Sequence, residues 1–229
     1  MNKIAQQRVL VFTLAVGGTL LAGCDRPAII PAKHADADSA GIHLYEGLDR
    51  SDSYRPHLSG AVSLCAGQAG LLDPGTDALT LYSLDRQARE VSDGPASDDP
   101  DAVQHTLVTQ VKNVPSQGGT FPAKFWTAVA ERAAADPKTV VIGLYSDADN
   151  DDETAASGTA ICIAAQKLAD NPHVATVSVY GVDPDNRAAL RHLFAPLGDR
   201  LHLYGATEMT ADAAAQAVDT ARAAATAHS

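Results

Sequence analysis

From about residue 41 onward, strand-like segments alternate with helix-like segments. The strand-like segments are short runs rich in β-branched and other apolar residues. They are Ile42–Leu48, Ala78–Leu84, Thr106–Val111, Thr139–Tyr145, Val174–Val182 and Leu201–Tyr204. The fourth lacks polar alternation, which is typical of a central strand buried on both faces. The alternation predicts an α/β fold with a doubly wound, mostly parallel six-stranded sheet of order 3-2-1-4-5-6 and helices on both faces.

Helix-like stretches lie between most of these strands. Pro122 opens one of them, in which Phe125 and Val129 share a face at helical spacing. Asp183 and Pro184 form an N-cap and first-position pair that predicts the start of another. The other predicted helices span about residues 56–72, 154–168 and 211–225.

The connection between the second and third predicted strands, residues 85–104, has no helical period and contains Pro95 and Pro100. Without a crossover helix, the two strands are expected to form an antiparallel hairpin, which makes the third strand an antiparallel edge strand. A connection of about 20 residues is long for a hairpin, so this acidic loop is either disordered or functional. The sequence leaves its role open.

The first 23 residues have the pattern of a bacterial secretory signal. Lys3 and Arg8 are their only charges, and an apolar run too short to span a bilayer follows. The run ends in Leu21-Ala22-Gly23-Cys24, which resembles a bacterial lipobox. The resemblance implies cleavage before Cys24 and lipidation of that cysteine, whereas an ordinary secreted protein with a chance cysteine is the alternative. The predicted organisation is a signal peptide (1–23), a lipidated cysteine with a tether (24–40) and one folded domain (41–229).

Charge narrows the range of partners. Loss of residues 1–23 would remove two cations and no anions, so the formal charge would change from −11 to −13. Such an acidic surface disfavours nucleic acid and anionic headgroups, so contact with a membrane is expected through the lipid alone. Asp25 follows the predicted anchor and resembles an inner-membrane retention signal, which favours the inner membrane of a bacterial envelope. The sequence leaves open whether the domain faces the periplasm or the exterior.

Oxygen-bearing side chains follow two strands and open one helix. They are Asp49, Ser51, Ser53, Thr120 and Asp147. Strands one and four are neighbours at the switch point of the predicted sheet, so Asp49 and Asp147 should converge on the crevice at their carboxyl ends. A set of oxygen donors without His or Cys suits a hard cation, with Mg²⁺ favoured and Mn²⁺ or Ca²⁺ as alternatives.

Three sequence strings carry a resemblance to a known family. They are Asp49-x-Ser51-x-Ser53, Gly118-Gly119-Thr120 and Ser146-Asp147-Ala148. In this order they resemble the metal-ion-dependent adhesion site of von Willebrand factor A domains, and the likeness covers about residues 41–225. It implies a protein-binding module that is not an enzyme, in which Asp49 acts through water and a partner carboxylate completes the metal shell. The string departs from the family at Ala148, where glycine is usual.

Other interpretations remain open from sequence alone. The serines could cap a helix and Asp147 could merely end a strand. A Mg²⁺-dependent hydrolase or phosphoryl-transfer enzyme could use the same kind of sheet, and a structural lipoprotein could hold a metal without function. Glu46 is either an extra carboxylate of the site or a paired buried acid. The acids at 149, 151, 152 and 153 are expected to form a solvated rim.

Cys65 and Cys162 are the remaining cysteines. Helices that follow strands one and four lie on opposite faces of a doubly wound sheet, because their crossovers share one hand. The two sulfurs should therefore be too far apart to bridge, and we expect two buried free thiols.

The predicted anchor leads to a direct test. Replacing Cys24 by serine should release the protein from membranes, because both acyl chains depend on that thiol. Fractionation after a salt wash measures the outcome, and a Cys24→Ser protein that still sediments with membranes would show that another anchor holds the chain.

Overall fold

The computed structural model describes residues 41–152 and 154–227. The predicted signal peptide, Cys24, Asp25 and the tether lie outside the described residues. Within residues 41–152 and 154–227, no helix is both long and apolar enough to cross a bilayer.

Six strands in the described part of the chain form one mixed sheet. They are β1 (Ile42–Asp49), β2 (Ala78–Leu84), β3 (Ala88–Pro95), β4 (Thr139–Tyr145), β5 (Val174–Tyr180) and β6 (Leu201–Tyr204). The order is β3-β2-β1-β4-β5-β6, and every pair is parallel except β2 with β3. The predicted α/β class, strand order and single antiparallel edge strand are therefore confirmed.

Helices cover both faces of the sheet. They are α1 (Leu58–Ala69), α2 (Pro100–Leu107), α3 (Pro122–Ala133), α4 (Ala155–Asp170), α5 (Arg187–Leu193) and α6 (Ala211–Ala227). Helices α1, α2 and α6 pack on one face, and α3, α4 and α5 pack on the other. Strand β4 is buried along its whole length, because Val141 faces the first layer and Ile142 the second.

The prediction of a third strand at Thr106–Val111 was wrong. The edge strand is Ala88–Pro95, joined to β2 by a short turn in which Asp85 N donates to Gln87 O at 3.1 Å. Side chains along β3 are exposed or half-buried, so its sequence lacks the apolar run that identifies an inner strand. Residues 85–104, expected to be a disordered or functional loop, thus contain the edge strand and the start of a helix.

Residues 106–111 belong instead to α2 and to the π-helical turn that continues it, Val108–Lys112. Val103, Leu107 and Val111 are buried at helical spacing, which competes with the strand pattern in the same sequence. Asp99 caps the helix, because its side chain accepts hydrogen bonds from two backbone amides of the first turn. Pro100 follows at the first helical position.

The predicted start of α5 was also wrong by one turn. The helix begins at Arg187 with Asn186 as its N-cap, not at Pro184. Asp183 accepts a hydrogen bond from Asp185 N (2.9 Å) in a tight turn before the helix. An aspartate in such a turn and an aspartate at a helix N-cap both accept a hydrogen bond from a nearby backbone amide. The sequence pattern therefore fits both.

The two thiols are free, as expected from the topology. Cys65 lies on α1 and is buried in the layer that α1 forms with α2 and α6. Cys162 lies on α4 in the opposite layer and is exposed, so the expectation that both thiols are buried was wrong for Cys162.

Glu46 and Gly47 interrupt the apolar sequence of β1, and their surroundings in the structure differ. A Cβ at Gly47 would lie 2.6 Å from the ring of Phe125, so the close approach of α3 requires glycine there. Glu46 points to the other face, where it is fully buried and both carboxyl oxygens lack a hydrogen-bond partner among the described residues. Burial raises the pKa of Glu46 to about 8. Among the described residues, Glu46 is thus a buried acid without an ionic partner.

The raised pKa of Glu46 gives a pH dependence of stability. Between pH 4.5 and about 8 the unfolded chain ionises this residue while the folded chain keeps its proton. The folded state binds more protons in that window, so the free energy of unfolding should fall as pH rises, by about 1.4 kcal/mol per pH unit. Glu46→Gln should remove this contribution and be more stable than the wild type at the upper end of the window. Urea denaturation across the window measures both effects.

The matched control is Glu131→Gln, which changes the exposed glutamate at position 131 on α3. It should leave the wild-type slope intact. If Glu46→Gln and Glu131→Gln give the same slope as the wild type, Glu46 does not fold in its protonated form.

Candidate metal-binding site

The parallel pairing of β1 with β4 brings the first part of the site together. Leu48 pairs with Tyr145, so the residues that follow them, Asp49 and Ser146, are neighbours where the two strands end. Ser146 Oγ donates to Asp49 Oδ2 at 2.6 Å, and both side chains are buried. The register therefore fixes the position of the Asp49 carboxylate.

The loop after β1 turns back on Asp49. Ser51 N donates to Asp49 Oδ1 at 2.8 Å, which closes the loop over the carboxylate. The hydroxyl oxygens of Ser51 and Ser53 lie 3.1 Å apart, although Ser51 is buried and Ser53 is exposed. The two serines thus form a short row of oxygens that leads from the core to the surface.

Thr120 reaches the same point from the segment before α3. Its hydroxyl donates to both carboxyl oxygens of Asp49, at 3.0 and 3.1 Å. Asp151 Oδ2 accepts a hydrogen bond from Thr120 N (2.6 Å), and Asp85 O accepts one from Phe121 N (3.0 Å). Asp151 is exposed, as expected of a rim, but it also holds the backbone of Thr120 in place.

Asp147 lies at the outer edge of this cluster. Its carbonyl accepts hydrogen bonds from Asp183 N (3.0 Å) and from the side chain of Asn186 (3.2 Å). Its carboxylate accepts one from Asp149 N (3.1 Å) and is half-exposed. The structure therefore places Asp49, Ser51, Ser53 and Thr120 in one hydrogen-bonded cluster, with Asp147 beside it.

Carboxylates gather at this cluster. The pKa of Asp49 is raised to about 6 by burial, with a smaller contribution from the nearby charge of Asp147, against the opposing hydrogen bonds from Ser146 and Ser51. Burial also raises the pKa of Asp149, and the charges of Asp147 and Asp151 add to that shift. A cation at the cluster would offset this repulsion.

The donor set fits a hard cation. Two carboxylates and three hydroxyls offer only oxygen, which is the ligand atom that Mg²⁺ and Ca²⁺ prefer. Within residues 41–152 and 154–227, no group of three or more His, Cys, Asp or Glu side chains has the geometry of a metal site. A cation here would therefore depend on the hydroxyls and on water, which leaves room for a ligand from outside.

Two residues beside the cluster make contacts that the sequence did not predict. Ser146 was recognised as part of a string but not as a partner of Asp49, although counting the β1–β4 register would have found it. Arg50, between Asp49 and Ser51, is buried and pairs with Asp85. The register of β1 with β2 explains this pair. Asp49 lies opposite Leu84, so the residues that follow them, Arg50 and Asp85, are also neighbours.

Ala148 has a strained backbone. Its φ of 63° makes it the one non-glycine residue with positive φ in the part of the chain that the structure describes. Left-handed backbone costs a residue with a Cβ about 1–2 kcal/mol. The position where the resemblance led us to expect glycine is therefore one where glycine would be unstrained.

Comparison with known proteins bears on the fold. Neither the family models nor the curated proteins that were compared contain a match. Among solved structures, BatB, described as a conserved hypothetical protein from Bacteroides thetaiotaomicron, has a TM-score of 0.57 at 18% identity, over 81% of this chain and 100% of that one. A von Willebrand factor type A protein from Catenulispora acidiphila has a TM-score of 0.51 at 17% identity, over 81% of this chain and 42% of that one.

A point mutant of the PilB minor pilin from Streptococcus sanguinis is also similar to this chain in fold. Its TM-score is 0.57 at 10% identity, over 82% of this chain and 62% of the pilin, so the chain spans less than two thirds of the pilin's length. The structural neighbours support a von Willebrand factor A-like fold for this chain, which confirms the expected fold type. The adhesion-type metal site and the lipid anchor stay predictions.

The strain at Ala148 predicts a stabilising substitution. Ala148→Gly should raise the free energy of unfolding by up to about 1 kcal/mol, because relief of left-handed strain outweighs the entropy that glycine adds to the unfolded chain. The same change inside a helix, Ala160→Gly in α4, should lower it by about 1 kcal/mol. Urea midpoints measure both, and a loss of stability in Ala148→Gly would contradict the strain argument.

Proposed function

We propose that this chain is a membrane-anchored module of von Willebrand factor A type that binds a protein partner through a divalent cation. The cation would lie at the carboxyl ends of β1 and β4, held by Asp49, Ser51, Ser53, Thr120 and Asp147. The observation that carries the proposal is the convergence of three separate chain segments on the Asp49 carboxylate. Mg²⁺ is the favoured ion, with Mn²⁺ and Ca²⁺ as alternatives.

The exposure of the donors favours binding of an outside ligand. Asp49 and Thr120 lie in the core, whereas Ser53 and Asp147 lie at the surface. A cation held between the buried and the exposed donors would have protein ligands on its inner side and solvent on its outer side. A group from a partner could replace solvent there without rearrangement of the core.

Electrostatics favours a partner that presents a carboxylate. A domain with a formal charge near −13 repels acids at long range, but this repulsion is screened over about 8 Å at physiological salt. A bound dication is the largest local charge and reverses that preference in the crevice. Affinity should therefore depend strongly on the metal and only weakly on salt.

The proposed location is the inner membrane of a bacterial envelope. It follows from the lipobox-like string before Cys24 and from Asp25, both outside the described residues.

The proposed function predicts metal-dependent capture of a partner. The immobilised full chain should retain an envelope protein in Mg²⁺, release it in EDTA, and retain it again when Mg²⁺ is restored. Asp147→Asn should lose this capture, because it weakens a surface donor with little effect on the core. Asp185→Asn, which changes an exposed acid next to the site that is not a proposed donor, should keep it.

Thermal unfolding separates this role from the alternatives. Mg²⁺ at about a hundredfold above its Kd should stabilise the wild type by roughly 2.7 kcal/mol, but hardly stabilise an Asp49→Ala, Asp147→Ala double variant. Equal stabilisation of both proteins would place the metal elsewhere. Stabilisation without metal-dependent capture would favour a structural metal, and metal-dependent turnover of a phosphoester would favour an enzyme.

A further inference from the structure

A small basic cavity lies on the same loop as the candidate metal site. It has a volume of about 210 Å³ and is lined by Arg50, Arg55, Leu58, Ser59, Lys112 and Val114. Three of its six lining residues are cations, in a chain that has 17 lysines and arginines against 28 acids. Arg50 and Arg55 belong to the stretch that also carries Ser51 and Ser53.

The three cations differ in how far their charge is neutralised. Arg50 is buried and pairs with the buried Asp85, yet its Nε has no hydrogen-bond partner among the described residues. Arg55 is 3.7 Å from Asp52, and both side chains are mostly exposed, so that pair is weak. Lys112 is exposed and forms no ion pair with any residue in 41–152 or 154–227.

The fold holds Lys112 at the cavity by an unusual turn. Val108–Lys112 is a π-helical turn at the end of α2, and its residue Val111 is fully buried. Such turns are rare and are frequently found at functional sites. The cavity thus joins two segments that are about 60 residues apart in sequence.

We propose that this cavity binds a second acidic side chain of the partner protein, beside the acid that coordinates the metal. The inference rests on the proposed function, because it takes the partner to be an acidic protein surface. The ligand class is a side-chain carboxylate, held by Lys112 and Arg55 in the cavity that Arg50 also lines. The module would then recognise a pair of acids, which one metal cannot do.

Size and charge both favour a side chain as the occupant. A cavity of about 210 Å³ is smaller than the roughly 300–1,000 Å³ typical of sites for drug-sized ligands. The apolar side chains of Leu58 and Val114 can contact the methylene groups of an Asp or Glu. Two joined anchors also raise affinity through effective concentration, provided that the spacing of the acids matches the two sites.

The test uses the full chain and synthetic peptides as probes. One set of capped peptides carries two aspartates separated by one to six glycines, and a second set carries a single aspartate. In Mg²⁺, the best two-aspartate peptide should bind ~10-fold more tightly than the single-aspartate peptide, as expected for one added charge-assisted contact. Isothermal titration calorimetry measures each affinity.

Charge reversal identifies the second anchor. Lys112→Glu and Arg55→Glu should abolish most of the tenfold gain and leave single-aspartate binding in Mg²⁺ nearly unchanged. Lys167→Glu makes the same charge change on the exposed surface of α4 and should keep the gain. The melting temperature of each variant verifies that it folds. An equal gain in Lys112→Glu and Lys167→Glu, or no gain at any spacing, would overturn the proposal.

Two further arms separate this inference from the proposed function. In EDTA, the remaining peptide affinity should be weak and should fall in Lys112→Glu. If EDTA leaves the affinity of both peptide sets unchanged while Lys112→Glu lowers it, the metal-dependent function fails and the basic cavity stands. Inorganic phosphate is the competing oxyanion. If phosphate at equal concentration eliminates the two-aspartate gain, the cavity binds a free oxyanion in preference to a side-chain carboxylate, and the proposed ligand class is overturned.

Discussion

Strand register at the carboxyl ends of β1, β2 and β4 is the constraint on which the candidate site depends. On one side of β1, alignment with β4 places Ser146 against Asp49. On the other side, alignment with β2 places Asp85 against Arg50. A slip of one residue in either pairing would turn the side chains of a strand to the opposite face and separate the pair that depends on that register. The metal-donor cluster and the basic cavity therefore share one structural origin.

The Arg50–Asp85 pair gives the loop after β1 its direction. A buried ion pair adds little net stability, because desolvation offsets much of the attraction. Its effect here is geometric: Arg50 is drawn toward β2, and the neighbouring Ser51 closes over Asp49 through its backbone amide. Neighbouring residues of one short loop thus contribute side chains to two adjacent surfaces. The loop can present oxygens on one side and a guanidinium on the other without a long insertion.

Sequence periodicity predicted the sheet order and the inner strands because those strands are buried on both faces and their apolar runs have few competing interpretations. It failed at the edge, where β3 exposes polar residues, and at residues 106–111, where Val103, Leu107 and Val111 fit a helix as well as the expected strand. The convergence of Asp49 and Asp147 was predictable because each follows the end of one of two neighbouring strands, whereas their binding of a metal stays a prediction. The Arg50–Asp85 pair and the cavity at Lys112 were not, because they depend on register and on a helix that periodicity missed.

The two acids of β1 show why binding chemistry is found at strand ends. Glu46 and Asp49 are both buried, and burial raises the pKa of each. Glu46 lies in the middle of the strand, enclosed by side chains, and no hydrogen-bond partner among the described residues reaches it. Asp49 is equally buried but lies where the strand ends, so three chain segments supply it with hydrogen-bond donors. Three positions along one strand separate a carboxyl enclosed in the core from one that three chain segments reach, and the proposed metal site uses the second.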